Sequence, residues 1–430
     1  MAKKRYVLVG VGVRSRFYYH SIARDFSETC ELAALCDVNR TRMEYAQKVL
    51  KDTYNYPEVS LYGIDEFDKM IEEQKPDTVI ICSIDRTHHK YIERAMELGC
   101  DVVTEKPMTM DAEKCQVILD AVKRTGKDLR VAFNYRYSPY NSVVRELIMK
   151  DTIGEIKQVH FEWMLDTMHG AEYFRRWHRD KRNSGGLLVH KSTHHFDLVN
   201  FWLDTNPKQV FAFGDLMFYG RENAENRGIT KFYYRTKDAE NAKGDPFALP
   251  NELIEDQLHK DMYFNAEQDD GYLRDQSVFS DGISIEDTMN VLVKYENGAQ
   301  LSYSLNAFSP IEGFKVFFTG TKGRIELIVT QKVPNPDDVE SIHDAAIAGK
   351  SITVFPMFKK PYSVEIPEAE GGHGGADPIL LADIFGEPKP DPLKRAAGHI
   401  AGAMSCLTGI AANKSIATGM PVDIKSLVEF

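Results

Sequence analysis

The sequence predicts an α/β domain wound around a parallel sheet, followed by an α+β domain whose strands run antiparallel. Three observations carry this. Residues 6–133 alternate short apolar runs with amphipathic stretches, the rhythm of strands joined through helices. Those apolar runs are nearly continuous, as they are when helices cover both faces of a sheet. Beyond residue 156 the pattern changes to alternation of apolar and polar residues, with a Glu296-Asn297-Gly298 turn between two such runs.

Composition sets bounds. A chain of 430 residues has room for two or three domains and an ample core. Its net charge of −11 argues against nucleic acid or an anionic membrane as its partner. No run approaches the roughly eighteen apolar residues of a membrane span. Six cysteines (30, 36, 82, 100, 115 and 406) form no Cys-x-x-Cys pair and read as reduced core thiols. Met1-Ala2-Lys3-Lys4-Arg5 resembles the basic start of a secretion signal, but the apolar run behind it is short and ends in glycines. The expectation is a cytoplasmic chain that begins folded.

In the first domain, strands are expected at 6–9, 32–36, 78–82, 101–104 and 130–133, and helices at 17–26, 40–50, 64–73, 90–98 and 112–124. The first strand runs into Gly10-Val11-Gly12 and then a helix start at Ser15-Arg16. Such a turn brings bare backbone to a pyrophosphate. Gly10 allows the sharp bend, Gly12 leaves room for the phosphate, and the helix N-terminus offers free N–H groups. Ser15 stands where a dinucleotide fingerprint has its third glycine. The same turn also fits any glycine-rich connection from strand to helix. Asp37 ends the second strand about twenty residues on, where an acid accepts ribose hydroxyls and repels a 2′-phosphate. It favours NAD over NADP. Arg40 and Arg42 follow; they either reverse that preference or form a charged helix face.

Ligands of such sheets bind beyond the C-terminal strand ends. Three loops lie there: 10–16, 83–89 and 105–108. Glu105-Lys106-Pro107 follows the strand 101–104, so Lys106 projects at the mouth of the crevice. It could bond a substrate hydroxyl or, once desolvated, release its proton. The plainer alternative is an exposed loop lysine.

Gly10-x-Gly12, Asp37, Ser83 to His88 (SIDRTH), Glu105-Lys106-Pro107 and Asn134-Tyr135-Arg136 together resemble the glucose–fructose oxidoreductase, inositol dehydrogenase and MocA (Gfo/Idh/MocA) family. The resemblance covers nearly the whole chain. It implies an N-terminal Rossmann domain (1–135) and an α+β C-terminal domain (136–430) on a large, mostly antiparallel sheet. It implies a small carbohydrate substrate, NAD or NADP as cofactor, with NAD favoured by Asp37, and a homo-oligomer formed through that sheet. Lys106 is then the active-site lysine, and His88 matches the histidine of the family's Thr-Pro-Asn-x-x-His loop. Here Ser83-Ile84-Asp85 replaces Thr-Pro-Asn. Ser83, His88, Glu105, Lys106 and Asn134 are expected at the cofactor, beside Gly10, Gly12, Ser15, Arg16, Asp37 and Arg40; Tyr135 and Arg136 are expected at the substrate.

The second domain opens with a strand at 156–164. Residues 173–182, YFRRWHRDKR, read as a basic, aromatic loop in an acidic chain. Arg175, Arg176, Arg179, Lys181 and Arg182 could hold a substrate carboxylate or phosphate. Tyr173, Phe174 and Trp177 could stack on a sugar ring. A solvated charged loop with core aromatics is the alternative. Gly185-Gly186 then opens a helix at 187–203 on which His190, His194 and Asp197 share a stripe, with Lys191 and His195 adjacent. Polar groups on an apolar helix are costly to bury without partners, so a binding or catalytic face is expected. The stretch resembles the family's Gly-Gly-x-x-x-Asp-x-x-x-His-x-x-Asp, with His194 at its catalytic histidine. His190 stands where many members have an aspartate that orients that histidine. Two readings follow. In one, His194 takes a hydroxyl proton while hydride leaves and Lys106 stabilises the oxygen. In the other, His190 and His194 ligate a metal. With no third ligand evident, no metal is expected.

Residues 209–219 resume a strand. Residues 220–282 read as an aromatic-rich insertion folded over the crevice to shape the substrate pocket. Strands follow at 288–295, 300–307, 314–321, 323–327 and 351–355. A glycine run at 371–377 precedes a helix at 377–385, with His373 near the pocket; a Pro-rich break at 388–392 precedes a last helix at 393–413. The expected activity is oxidation or reduction of a hydroxyl on a sugar, polyol or sugar derivative. One alternative is redox-neutral cleavage or epimerisation through a transient keto-sugar with retained NAD. Another is a non-catalytic dinucleotide sensor, which the presence of Lys106 and His194 opposes.

Overall fold

The computed structural model describes residues 3–332 and 349–430; Met1 and Ala2 of the basic start lie outside them. The first sheet holds β1 (Lys4–Val9), β2 (Cys30–Cys36), β3 (Ser60–Tyr62), β4 (Thr78–Ile81), β5 (Asp101–Thr104) and β6 (Leu129–Val131). All pair in parallel in the order β3-β2-β1-β4-β5-β6. Val7, Val9, Val79 and Ile81 are wholly buried, as strands between two helical layers require. The apolar pattern missed β3, which has three residues and buries one.

The expected helix at 393–413 begins later, as His399–Thr418. Residues 393–398 run beside β6 instead: Val131 N donates to Ala397 O at 2.9 Å, and Arg130 bridges Gly398. An edge strand leaves N–H groups that need partners, and this segment supplies one.

The second sheet is mostly antiparallel. In chain order its strands are β7 (Ile156–Asp166), β8 (Pro207–Asp215), β9 (Thr288–Tyr295), β10 (Gln300–Ser309), β11 (Glu312–Gly320), β12 (Gly323–Lys332), β13 (Gly349–Pro356), β14 (Tyr362–Val364) and β15 (Val422–Asp423). Among the described residues they stand in the order β14-β13-β12-β11-β7-β10-β9-β8-β15, with only β7 and β10 parallel. β8 stops at Asp215, short of the expected residue 219, because the Asp287 carboxylate takes the N–H groups of Met217, Phe218 and Tyr219 at 2.8–3.0 Å. Alternation puts Phe161, Trp163, Tyr303 and Phe314 on the covered face.

Two local departures shape the site. Residues 173–182 are not a loop: a helix spans Thr167–Arg175, capped by Asp166 through Met168 N and His169 N, and a short turn spans Trp177–Arg179. The expected helix at 187–203 is broken into Leu187–His190 and Thr193–Leu203. Ser192 N reaches back to Leu187 O at 2.8 Å, while its Oγ bonds the Tyr303 hydroxyl at 2.9 Å. Helix His399–Thr418 braces this break. Ser405 Oγ bonds Thr193 O at 2.5 Å, and a Cβ on Gly409 would lie 2.1 Å from Leu188 O.

Gly170 lets helix Thr167–Arg175 lie flat on β10, since a Cβ there would meet Ala307 O at 1.7 Å. Gly170→Ala is therefore expected to cost about 1–3 kcal/mol through overpacking, measured as a lower urea midpoint with an unchanged m-value.

Candidate active site

A cleft of about 730 Å³ lies between the C-terminal ends of the parallel strands and the second domain. Its first half is the glycine turn. Gly10 has φ +87°, and a Cβ would lie 2.4 Å from Ser83 N; the same vector on Gly12 meets nothing within 4 Å. One glycine is thus needed for close packing and the other leaves open space at the cleft. Ser15 is buried and ties the turn through Oγ to Gly12 O at 2.7 Å. Glu105 accepts from Arg14 Nε at 2.5 Å and from the Tyr18 hydroxyl at 2.8 Å, joining the turn to the loop after β5. Arg14 lines the cleft; Arg16, expected at the cofactor, does not. A tight turn at Val13–Ser15 precedes the helix, so Arg16 falls in the first α-helical turn, beside Tyr19 and Tyr45.

Asp37 stands at the end of β2. Its Oδ1 accepts from Asn39 N at 2.8 Å and its Oδ2 from Val11 N. Burial raises its carboxyl, opposed by those two N–H groups. The 220–282 segment reaches over this end of the crevice. Arg42 Nη1 pairs with Asp270 at 2.6 Å, Arg42 Nε donates to Met262 O at 2.9 Å, Asn39 Nδ2 to Ala266 O at 2.9 Å, and Thr41 N to Asp269 at 2.8 Å. Tyr263, Asp270 and Tyr272 enter the cleft wall. Arg40 is turned to solvent and pairs with Glu44 at 2.8 Å, one helical turn on.

Ser83 and His88 line the cleft, but His88 is buried, its two ring nitrogens each 2.9 Å from a carbonyl, of Ser83 and of Pro107. It staples the two loops to each other. Asn134 donates to Asp377 at 2.8 Å, and its Oδ1 is buried in the cleft wall with no partner among the described residues. His373 also lines the cleft, 3.0 Å from Asp377.

The other half of the cleft gathers the chemistry. Lys106 is half-buried, and its Nζ donates to the carbonyl of His190 at 3.1 Å. Burial pushes this amine down, opposed by Asp85 and Glu105. His190 Nδ1 lies 2.6 Å from Asp85 Oδ2, a contact between the two domains. Burial raises the Asp85 carboxyl and lowers the imidazole, while Lys106 pulls the carboxyl back down. His178, Tyr173 and Trp177 surround the His190 ring at 4.3, 5.7 and 5.7 Å. His194 packs on Tyr135 at 4.5 Å, its Nδ1 unpartnered among the described residues. Lys191 sits over Trp163 at 5.0 Å, and burial, opposed by Glu312, pushes it down to about 8.

Three expected substrate residues lie elsewhere. Arg136 and Asp197 form a bidentate buried pair at 2.6 and 2.7 Å outside this cleft. Arg179 is buried and bonds Ser277 O, Ser280 Oγ and Asp281 O, anchoring the inserted segment. Asp85 was missed. Its signal was available: an acid in the 83–88 loop where the resembled pattern has asparagine, and a histidine at 190 where it has aspartate. Among the described residues no three His, Cys, Asp or Glu side chains group as a metal site.

A parallel sheet in this strand order, a glycine turn at the C-terminal end of its β1 and a half-buried lysine facing a second, mostly antiparallel domain define a two-domain dinucleotide-binding oxidoreductase. The chain belongs to the Gfo/Idh/MocA oxidoreductase family: residues 4–133 match its NAD-binding Rossmann fold and residues 145–424 its C-terminal alpha/beta domain. It is 35% identical over 443 aligned positions to YteT of Bacillus subtilis (strain 168), an oxidoreductase by name, covering 99% of each chain. Inositol 2-dehydrogenase of Rhizobium meliloti (strain 1021) is 33% identical over 136 positions, 32% of this chain and 39% of that one. The crystal structure of an oxidoreductase from Agrobacterium radiobacter, in complex with NAD+, L-tartaric acid and magnesium, superposes with a TM-score of 0.63 at 14% identity, over 99% of this chain and 100% of that one. At that identity the likeness is one of fold.

Breaking the Arg136–Asp197 pair leaves a buried guanidinium uncompensated. Asp197→Ala is expected to lower stability by about 3–5 kcal/mol in a urea titration. A substrate contact at this position would instead raise KM and leave stability in place.

Proposed function

We propose that this chain is an NAD-dependent oxidoreductase acting on a hydroxyl of a sugar, polyol or sugar derivative. The observation that carries the reading is one cleft with open space at Gly12 and, at its other end, Lys106 beside two imidazoles. The residues present fit the dinucleotide. Arg14 and the open space at Gly12 suit a pyrophosphate, Asp37 suits ribose hydroxyls, and the unpartnered Asn134 Oδ1 suits a carboxamide N–H. When bound, NAD supplies the hydride acceptor.

The chain's own residues then divide the work. Lys106 donates to the hydroxyl oxygen and stabilises the charge that grows on it. An imidazole of the broken helix takes the hydroxyl proton; the family resemblance gives that task to His194. Trp177, Tyr173 and Tyr135 offer rings for the apolar face of a sugar. NAD is favoured over NADP because Asp37 and Asp270 stand at the ribose end, and Asp270 already neutralises Arg42. The strap at 262–270, tied to residues 39–42 by four contacts, favours a second reading beside free NADH release: NAD that stays bound through a redox-neutral cycle. Six free cysteines suit a reducing cytoplasm. Phe213 and Leu292, exposed on the uncovered face of the nine-stranded sheet, suit contact with a second copy.

The test is to purify the protein, denature it, identify any nucleotide released, and screen sugars, glycosides and uronic acids for product. NAD is expected to bind more tightly than NADP. Lys106→Met is expected to cut turnover by roughly 10²–10⁴-fold while NAD still binds. Full activity in that variant would overturn the reading, as would a wild type that binds NAD and turns over no carbohydrate.

A further inference from the structure

We propose that His190, held by Asp85, is the group that accepts the hydroxyl proton, and that Asp85 is its positioning residue. The inference rests on the oxidoreductase reading and deepens it. It begins with the ring nitrogens. Nδ1 of His190 is 2.6 Å from Asp85 Oδ2. With Asp85 ionised its carboxylate accepts, so Nδ1 carries the hydrogen and Nε2 the lone pair. His190 lines the cleft, and the hydrogen bond of its ring among the described residues is the one from Nδ1 to Asp85. The backbone of the same residue holds Lys106, whose Nζ donates to His190 O at 3.1 Å. Electrophile and base are therefore registered to one another through a single residue.

His194 lacks this support. Its Nδ1 is buried without a partner among the described residues, so nothing fixes its tautomer. It packs on Tyr135 and Phe133, at 4.5 and 6.1 Å, and forms a wall of the pocket.

The sequence departures also pair up. Against the resembled pattern, loop residue 85 changes from asparagine to aspartate and helix residue 190 from aspartate to histidine. The carboxylate has not been lost. It has moved to the other domain and faces the histidine that took its place. The charged and titratable groups around His190 are Asp85 and Lys106 from the first domain, and Tyr173, Arg176, His178 and Lys191 from the second. Asp85 is the acid directly on the ring.

In the step itself the hydroxyl O–H bond breaks and its proton goes to Nε2. The oxygen keeps the electron pair and becomes a carbonyl as the adjacent C–H bond releases hydride to the nicotinamide.

The full-length protein loaded with NAD tests this, with whichever carbohydrate it oxidises. Asp85→Asn is expected to lower kcat by about 10²-fold or more, with KM and NAD affinity changed less than about threefold. The acid limb of its pH profile should move, because the carboxylate that favours the imidazolium is gone. A downfield proton signal from His190 Nδ1–H, seen without substrate or turnover, should vanish in the same variant. His190→Asp alone sets two carboxyls against each other; adding Asp85→Asn restores the resembled pair and is expected to recover activity at least tenfold. His194→Gln should raise KM more than it lowers kcat. Turnover in the wild type with an unaffected Asp85→Asn overturns this assignment alone. A wild type that transfers no hydride overturns the functional reading, and the assignment with it.

Discussion

At the reacting end of the cleft, both domains meet on residue 190. Its side chain takes the Asp85 carboxylate from the loop after β4, and its carbonyl takes the Lys106 amine from the loop after β5. The remaining architecture serves this meeting. His88 fixes the spacing of those two loops by reaching a carbonyl in each. On the opposite side, the helix breaks just after His190, and the carbonyl released from the helical ladder meets Lys106. Ser192, bonded to Tyr303, and the close approach of Gly409 to Leu188 hold that break in place.

Charge explains why these groups share a small space. Lys106 is half-buried beside a buried Lys191 and several buried imidazoles, and burial drives each toward its neutral form. Neutral imidazoles can accept protons, and a lysine softened by burial can donate. Acids oppose that drive: Asp85 and Glu105 at Lys106, and Glu312 at Lys191. The far end of the cleft is built on the opposite principle. There Asp270 pairs with Arg42 close to Asp37, and the segment that brings Asp270 also clasps residues 39–42.

Much of this was legible in the chain. Near-continuous apolar runs marked the parallel strands, and alternation marked β9 and β10 with the Gly298 turn between them. The glycine turn, Asp37 and Lys106 could be placed because each sits at a strand end, where local sequence sets position. What could not be read depends on partners far along the chain. Arg136, Asp197 and Arg179 look like substrate groups until their partners appear, 61 residues apart for Arg136 and Asp197, and 98–102 residues away for Arg179. β8 ends early because Asp287 reaches back to it, and the last helix starts late because β6 needs an edge partner. The break at Lys191–Ser192 is set by Tyr303, on a strand more than a hundred residues downstream. Asp85 was written in plain sight, but its meaning required seeing the residue opposite it.

The central claim is geometric, and a crystal structure of the protein with NAD bound tests it most directly. The nicotinamide is expected to face Lys106 Nζ and His190 Nε2 across a gap that fits a carbon whose C–H points at the ring and whose hydroxyl reaches both side chains, with the Asp85–His190 contact intact. A nicotinamide that faces away from Lys106, or a His190 ring that releases Asp85 and turns from the cleft when NAD binds, would contradict it.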